Sequence, residues 1–395
     1  MKNNFFLSLI AVGILTSCSN NEDDTYVPIE DTYPAVEAAF GSSIDLENLE
    51  NYANQSIPAY ITKNNGNLNP VTNKGATLGR ILFYDKKLSV NNTISCSSCH
   101  KQALAFGDNS VASTGVNGTT GRHSMRLINT RFAAETKFFW DERAATLEIQ
   151  TTMPIKDHGE MGYSGANGDQ SFSDLIVKLN EVAYYKELFK FVYGSEEITE
   201  GKIQLALAQF IRSIQSFDSK YDAGRATAQN DGMPFANFTP QENAGKNLFL
   251  SLPVFNAAGV RTAGGLGCAG CHQAPEFDID PNSRNNGIIG QITGGGIDIT
   301  NTRAPSLRDL VGPNGTLNGQ LMHTGVITSL QAAIGHYGTI NIAPGNTNLD
   351  PRLRPGGNGQ QLNLNANEVN AVIAFIETLS GTDVYTNPKW SDPFN

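Results

Sequence analysis

One five-residue pattern occurs twice in this sequence, as CSSCH at residues 96–100 and as CAGCH at residues 268–272. In each copy two thiols stand three positions apart, and an imidazole follows the second thiol directly. This order is typical of covalent haem attachment, in which the thiols add to the haem vinyl groups and the histidine binds the iron. The sequence therefore predicts two c-type haems. The predicted attachment residues are Cys96, Cys99 and His100 for the first haem and Cys268, Cys271 and His272 for the second.

Other uses of these four cysteines explain less of the pattern. Two disulfides would suit an exported protein, but they would leave both trailing histidines without a purpose. A zinc site favours a second cysteine pair about 15 to 20 residues after the first, whereas these pairs lie in opposite halves of the chain. A thioredoxin-type redox pair requires a neighbouring βαβ pattern, which the sequence does not show.

The amino terminus has the pattern of a bacterial lipoprotein signal. Lys2 provides positive charge, the apolar run from Phe5 to Leu15 is too short to span a bilayer, and Cys18 follows after two small polar residues. We predict a signal peptide over residues 1–17, lipidation of Cys18, and a tether with an N-terminal extension over residues 18–65. The predicted location is the periplasm or cell surface, with a lipid anchor as the only membrane attachment, on a bacterial membrane and most simply the outer one.

The composition limits both the fold class and the partners. The formal net charge is −10, which argues against nucleic-acid binding because a phosphate-binding surface needs clustered Lys and Arg. The 39 glycines and the low charged fraction of 17% describe a chain rich in loops. Runs of alternating strand character are not evident, so the predicted fold is mostly α and loop-rich.

Similar segments precede the two haem-attachment units. LGRILF at residues 78–83 and AGKNLF at residues 244–249 each predict a short helix that packs on its haem, and Thr239 with Glu242 resembles a capping box. Helical periodicity predicts two further amphipathic helices, the second ended by Gly381. Their apolar positions are Ile203, Leu207, Phe210, Ile211, Ile214 and Phe217 in the first, and Val369, Val372, Ile373, Ile376 and Leu379 in the second.

This repeat predicts two cytochrome c-like domains, each around one covalently bound haem. The N-terminal domain is assigned to residues 66–225 and the C-terminal domain to residues 239–395. The polar segment at 226–238, which contains Gly232 and Pro234, is interpreted as the linker.

The middle of the chain resembles the bacterial dihaem cytochrome c peroxidases. The motif FWDERAATL at 139–147, followed by Gln150, Pro154-Ile155 and Glu160-Met161, carries the resemblance. APSLR at 304–308 and MHTG at 322–325 resemble the family's segment after its second haem, so the resemblance extends from about Leu78 to Leu379. The family also includes the methylamine-utilisation dihaem enzyme, which oxidises tryptophans of a partner protein.

The resemblance implies roles for three residues. Glu160 would be the acid–base group beside the open site of the first haem, and Gln150 would position peroxide there. Trp140 would lie between the haems and couple them, while the second haem passes electrons from an external donor to the first. Each residue alone also has a simple structural explanation, as a core tryptophan, a surface carboxylate or a helix-surface amide.

The sequence departs from the family pattern at the first haem. Classical members carry a histidine after the first haem that binds its iron in the resting enzyme, but residues 106–121 contain no histidine. His123 lies just beyond and is interpreted as structural or as a neighbour of a calcium site. We therefore predict a first haem that is open without reductive activation. The family's calcium ion is kept as a candidate cofactor, although its ligand positions match poorly.

The sixth ligand of the second haem also departs from the pattern. The family often uses a methionine, but Met322 lies in the MHTG loop motif rather than at the ligand position. That position falls near Tyr337, with His336 beside it as the alternative. Either side chain would lower the reduction potential relative to a thioether, since both stabilise ferric iron better. His158 and His323 are interpreted as structural.

Three functions compete at this point. The first is a peroxidase that reduces hydrogen peroxide to water with electrons from a small periplasmic cytochrome c or similar donor. The second is a protein-modifying dihaem oxidase, which a Tyr337 ligand favours. The third is a dihaem electron carrier without enzymatic activity, which requires six ligands at both irons. A homodimer is compatible with each of the three.

Overall fold

The computed structural model describes residues 32–134, 136–279 and 281–394. The predicted signal peptide and Cys18 lie outside the described residues. The described chain is mostly helical and rich in loops, as predicted, and none of its helices is long and apolar enough to cross a membrane. The helices are α1 Pro34–Phe40, α2 Asn73–Tyr84, α3 Cys96–Cys99, α4 Leu147–Thr152, α5 Phe172–Asn180, α6 Ala183–Tyr193, α7 Glu200–Ser213, α8 Lys220–Arg225, α9 Pro240–Leu250, α10 Leu330–Gly338 and α11 Ala366–Glu377.

Helices α2 and α7 form the scaffold behind the first haem-attachment unit. The side chain of Thr72 caps α2 by accepting a hydrogen bond from the backbone N–H of Gly75, and Thr199 caps α7 in the same way. At the crossing, a Cβ on Gly79 would stand 2.0 Å from the carbonyl oxygen of Ala206. Only glycine therefore permits this close approach of the two backbones.

Helices α9 and α11 repeat this arrangement behind the second unit. The predicted capping box of Thr239 and Glu242 is present and opens α9. A Cβ on Gly245 would stand 1.8 Å from the carbonyl oxygen of Ala371, so this crossing is as close as the first. The sequence repeat at residues 78–83 and 244–249 is thus a repeat of helix packing.

The helix ends differ from the periodicity of the sequence. Helix α7 ends at Ser213 because Ile214 adopts an extended backbone, and Phe217 instead packs its ring 5.0 Å from that of Phe132. Helix α11 ends at Glu377, four residues before Gly381.

Two short hairpins went unrecognised in the sequence because their strands have two to four residues. The first pairs β1 Pro253–Phe255 with β2 Arg261–Gly264, and the second pairs β3 His272–Gln273 with β4 Asp278–Ile279, both antiparallel.

The apolar side chains form two main cores. One contains α2, α6 and α7, and the other contains α9 and α11. Phe235 and Phe238, within the predicted linker, are buried in the second core. Trp390 lies in the first core although it belongs to the predicted C-terminal domain, and its carbonyl accepts a hydrogen bond of 2.6 Å from the hydroxyl of Tyr84. The two-domain boundaries stay a prediction.

Replacing Gly245 with alanine is expected to lower the free energy of unfolding by about 1–3 kcal/mol, since the added methyl group would overlap the α11 backbone. Gly201→Ala is the matched control, because Gly201 is an exposed helical glycine with nothing within 4 Å of an added Cβ. Alanine at position 201 is expected to raise the free energy of unfolding by up to about 1 kcal/mol. Denaturant midpoints of the haem-loaded protein measure both effects, and equal midpoints for both variants would contradict the packing argument.

Candidate active site

The first haem-attachment unit is a short capped helix. Helix α3 begins with a capping box, in which the side chains of Ser95 and Ser98 each accept a hydrogen bond from the backbone N–H of the other residue. The bond from the Ser95 N–H to Ser98 Oγ is 3.0 Å long. Cys96 and Cys99 are free thiols. Burial raises the pKa of Cys96 to about 12 and that of Cys99 to about 11. The structure thus presents two unpaired thiols from one turn, as covalent haem attachment requires.

The histidine of each unit is held against backbone carbonyl groups. His100 Nδ1 lies 3.2 Å from the carbonyl oxygen of Phe106, and the carbonyl of Met125 also acts on this ring. A contact of this kind fixes the ring and leaves Nε2 for a metal. Phe106 has a φ of +59°, which is unusual for an aromatic residue and turns the chain back over the histidine.

The second unit repeats this geometry. Burial lowers the pKa of His272 to about 4, and the carbonyls of Phe277 and Pro305 face its ring, although Nδ1 has no hydrogen bond of normal geometry. Phe277 has a φ of +54°, close to that of its counterpart Phe106. Both histidines are therefore held as neutral rings, the form that binds haem iron.

A cavity opens directly over the first unit. It brings together residues that the sequence separates by up to 64 positions, namely Cys96, Cys99, His100, Gln150 and Glu160. Apolar side chains complete its wall, among them Phe83, Ile94, Leu127, Leu207 and Ile211. Its mostly apolar lining suits the flat, apolar face of a large cofactor. Within the described residues, His100 is the one histidine that lines it.

Glu160 is the carboxylate of this cavity. Burial, and to a smaller extent the negative charge of Asp157, raise its pKa to about 7, against the opposing effect of Arg143. The backbone is fixed on both sides, because the Glu160 N–H donates to Asp157 Oδ1 over 3.0 Å and its carbonyl accepts from Val116 over 3.0 Å. Glu160 also acts electrostatically on both thiols, which places the carboxylate beside the haem-attachment unit.

Gln150 lies on α4, and the anchoring of that helix explains its position. Thr146 caps α4 by accepting a hydrogen bond from the N–H of Ile149. Glu148 forms an ion pair with Arg212 of α7 and accepts a 2.9 Å hydrogen bond from Asn69. The helix is therefore locked to α7, while Gln150 lines the cavity.

Trp140 lies between segments that follow the two haem-attachment units. Its indole Nε1 donates to the carbonyl of His123 over 2.8 Å, and its own carbonyl accepts from the N–H of Thr302 over 2.9 Å. The ring of His323 meets the indole edge-on at 6.2 Å. Trp140 is 9% exposed, so it belongs to the packed boundary between the two halves of the fold.

Tyr337 faces the second haem-attachment unit. Its hydroxyl accepts a 3.2 Å hydrogen bond from Asn286 Nδ2, and burial raises its pKa, with the charges of both Cys271 and Cys268 raising it further. His336 Nε2 instead lies 2.9 Å from the backbone carbonyl of Asn286.

Met322 also approaches this point, because Asn286 Nδ2 lies 3.2 Å from its sulfur. Asn286 therefore contacts both Met322 and Tyr337. Sequence reasoning missed Asn286, since no local pattern signals an amide whose partners are 36 and 51 residues away.

The remaining histidines are engaged elsewhere. His123 Nδ1 lies 2.9 Å from the carbonyl of Ser110, His323 Nε2 lies 2.9 Å from the carbonyl of Gly290, and the exposed His158 pairs with Asp169 at 2.8 Å. In the described part of the chain no group of three or more His, Cys, Asp or Glu side chains is arranged to hold a metal ion. The calcium ion stays a prediction.

Comparisons with known proteins show what this chain is similar to. Residues 73–230 match the family described as di-haem cytochrome c peroxidase. The methylamine utilization protein MauG of Methylophilus methylotrophus is 27% identical over 82% of this chain and 86% of its own length. The cytochrome c551 peroxidase of Nitrosomonas europaea is 28% identical over 78% of this chain and 80% of its own length.

A solved structure extends the similarity to the fold. A MauG-like protein associated with microbial copper homeostasis superimposes with a TM-score of 0.65 and 28% identity, covering 87% of this chain and 99% of that protein. The family implies two c-type haems, which the two attachment units fit. Over residues 73–230 the chain therefore matches the di-haem cytochrome c peroxidase family, and over most of its length it is similar to MauG and to cytochrome c peroxidases.

Proposed function

We propose that this protein is a peroxidase that reduces hydrogen peroxide to water with electrons from a c-type cytochrome or a similar donor. The observation that carries the proposal is the half-buried Glu160 carboxylate in the same cavity as Cys96, Cys99 and His100. A carrier that only transfers electrons has no need of an acid–base group beside its haem.

The residues of the cavity match the demands of peroxide reduction. The first haem, when bound, supplies an iron that binds peroxide and delivers electrons. As a carboxylate, Glu160 takes the proton from the inner oxygen, and it then returns this proton to the outer oxygen as the O–O bond breaks and water leaves. The amide of Gln150 orients the peroxide, and the apolar wall limits access of bulk water. Two electrons and two protons convert each peroxide into two water molecules.

Electron delivery follows from the unequal surroundings of the two units. Tyr337 beside Cys268 and Cys271 would fill the sixth position of the second haem, which suits electron transfer rather than peroxide binding. Trp140, packed between the two halves, would couple this haem to the first. Electrons would then enter at the second haem and be consumed at the first.

Tyr337 also favours a second candidate, a dihaem oxidase that modifies a partner protein. A tyrosine ligand stabilises ferric iron and would suit an oxidation reaction that uses both haems. The relatedness to MauG is consistent with this candidate.

The proposed location is the periplasm or cell surface, with the protein held on the outer membrane through lipid on Cys18. The charge of −10 suits a soluble donor of opposite charge. Mass spectrometry of the protein from bacterial membranes tests this, because an unmodified Met1 would exclude the lipidated form.

The direct test of the peroxidase activity mixes a reduced c-type cytochrome with hydrogen peroxide and the haem-loaded protein. Oxidation of the donor in a ratio of two electrons per peroxide is expected. Absence of turnover with several donors, together with oxidation of tryptophan in a partner protein, would favour the second candidate instead.

The acid side of the pH profile should report Glu160. Because the carboxylate form must accept the first proton, kcat/KM is expected to fall about tenfold per pH unit below pH 7. Asp157→Asn removes a charge that raises the pKa of Glu160, and should move this limb to lower pH by no more than about one unit. Glu197→Gln, at a side chain that is 70% exposed, is the surface control and should leave the limb in place. A flat profile from pH 5 to 8 would contradict the role of Glu160.

A further inference from the structure

Arg126 connects the segments that hold the two proximal histidines. Its backbone directly follows Met125, whose carbonyl acts on the first proximal histidine. Its Nη2 donates over 2.8 Å to the carbonyl of Ser306, which directly follows Pro305 at the second proximal histidine. The guanidinium therefore lies between the two haem-attachment regions.

The fold leaves room for this side chain. A Cβ on Gly107 would stand 2.8 Å from Cγ of Arg126, so the bare backbone of Gly107 accommodates the aliphatic stem. Gly107 in turn follows Phe106, whose carbonyl contacts His100. The same turn that positions the first proximal histidine thus also admits Arg126.

The positive charge of Arg126 is poorly compensated. Its Nε is buried without a hydrogen-bond partner, and burial lowers its pKa to about 10. The nearby, fully buried Asp309 opposes this shift in part, but its Oδ1 accepts hydrogen bonds from Gly381 and Tyr385 and its Oδ2 has no hydrogen-bond partner. Among the described residues no carboxylate lies within ion-pair distance of Arg126.

Another buried arginine shows what such a group ordinarily requires. Arg308 binds both carboxylate oxygens of Asp222 at 2.9 Å. A buried cation without such an anion is unfavourable, so an anion from outside the polypeptide is expected at Arg126. A haem brings two propionate carboxylates.

We propose that Arg126 binds a propionate of the second haem through Nε–H and its terminal amino groups, and so positions the edge of that haem between the two sites. The second haem is favoured because Arg126 Nη2 binds the carbonyl of Ser306, in the segment that follows the second haem-attachment unit. Arg126 is thus a positioning residue, and its role rests on the attachment of haem proposed above.

The test compares Arg126→Leu, Arg126→Lys and the control Arg131→Leu as haem-loaded proteins. Arg131 belongs to the same segment, but its Nε bonds to Asn64 near the surface. Resonance Raman spectra report hydrogen bonding to haem propionates through their bending bands, and redox titration reports the potential of the second haem. Arg126→Leu should shift a propionate band and lower the potential, because a nearby positive charge favours the reduced haem.

Arg126→Lys should shift the band while largely keeping the potential, since it retains the charge but loses the planar set of donors. Propionate bands that stay unchanged in both variants, with two haems bound per chain, would overturn the proposal. If leucine prevents haem loading, the lysine variant decides alone. Failure of the peroxidase proposal gives a different result. The unmodified protein would then show no turnover with peroxide, while the propionate bands would still respond to substitution of Arg126.

Discussion

Replacing Glu160 with glutamine is expected to lower kcat/KM for hydrogen peroxide by about 10²- to 10⁴-fold, the usual contribution of a positioned acid–base group. Glutamine has nearly the same shape, but it can neither accept the proton from the inner oxygen nor return it to the outer one. Glu160 lines the cavity with Gln150, and its backbone is fixed on both sides, so the substitution should leave the cavity intact. Stopped-flow oxidation of a reduced cytochrome by peroxide measures the effect.

Glu181→Gln is the matched control for this experiment. Glu181 is an exposed residue at the end of α5 and lies outside the cavity, so its substitution should leave turnover unchanged. The haem spectra of both variants should equal those of the unmodified protein. Turnover by Glu160→Gln at the rate of the control would refute the assignment of Glu160 and, with it, the peroxidase proposal.

Replacing Arg308 with leucine is expected to lower the free energy of unfolding by about 3–5 kcal/mol, because it leaves the buried carboxylate of Asp222 without its cation. Arg308 is fully buried and binds both oxygens of Asp222 at 2.9 Å. It also donates over 2.8 Å to the carbonyl of Pro275, three residues after His272. The variant should therefore lose order in the segment that follows the second haem-attachment unit.

Glu197→Ala provides the comparison with a surface ion pair. Glu197, whose side chain is 70% exposed, pairs at 3.1 Å with Lys202, so its loss should lower the free energy of unfolding by no more than about 1 kcal/mol. Chemical denaturation of the haem-loaded proteins measures both values. If Arg308→Leu lowered the free energy of unfolding no more than the surface variant does, the buried ion pair of Arg308 and Asp222 would not be a major source of stability.

Local patterns in the sequence predicted much of the architecture. The repeated segments at 78–83 and 244–249 correctly predicted two helices. The capping box was predicted from the three-residue spacing of Thr239 and Glu242. Capping and amphipathic periodicity depend on neighbours within one or two turns, so a single sequence records them directly.

Other features depend on contacts between distant segments. Trp390 enters the first core and bonds to Tyr84, 306 residues away, and Asn286 joins Met322 to Tyr337. The shared cavity of Gln150 and Glu160 was expected from the family resemblance, but its apolar wall arises from α2 and α7. The end of α7 at Ser213 was missed because the apolar pattern continues after the backbone becomes extended.

The electron paramagnetic resonance spectrum of the oxidised protein tests the central claim most directly, since the claim is that the two haems are unequal. The cavity over Cys96 and Cys99 has no second histidine among its described residues, whereas Tyr337 faces Cys268 and Cys271. We predict one high-spin iron, at the open first haem, and one low-spin iron, at the six-coordinate second haem, in equal amounts. A spectrum in which both irons are low-spin would contradict the account.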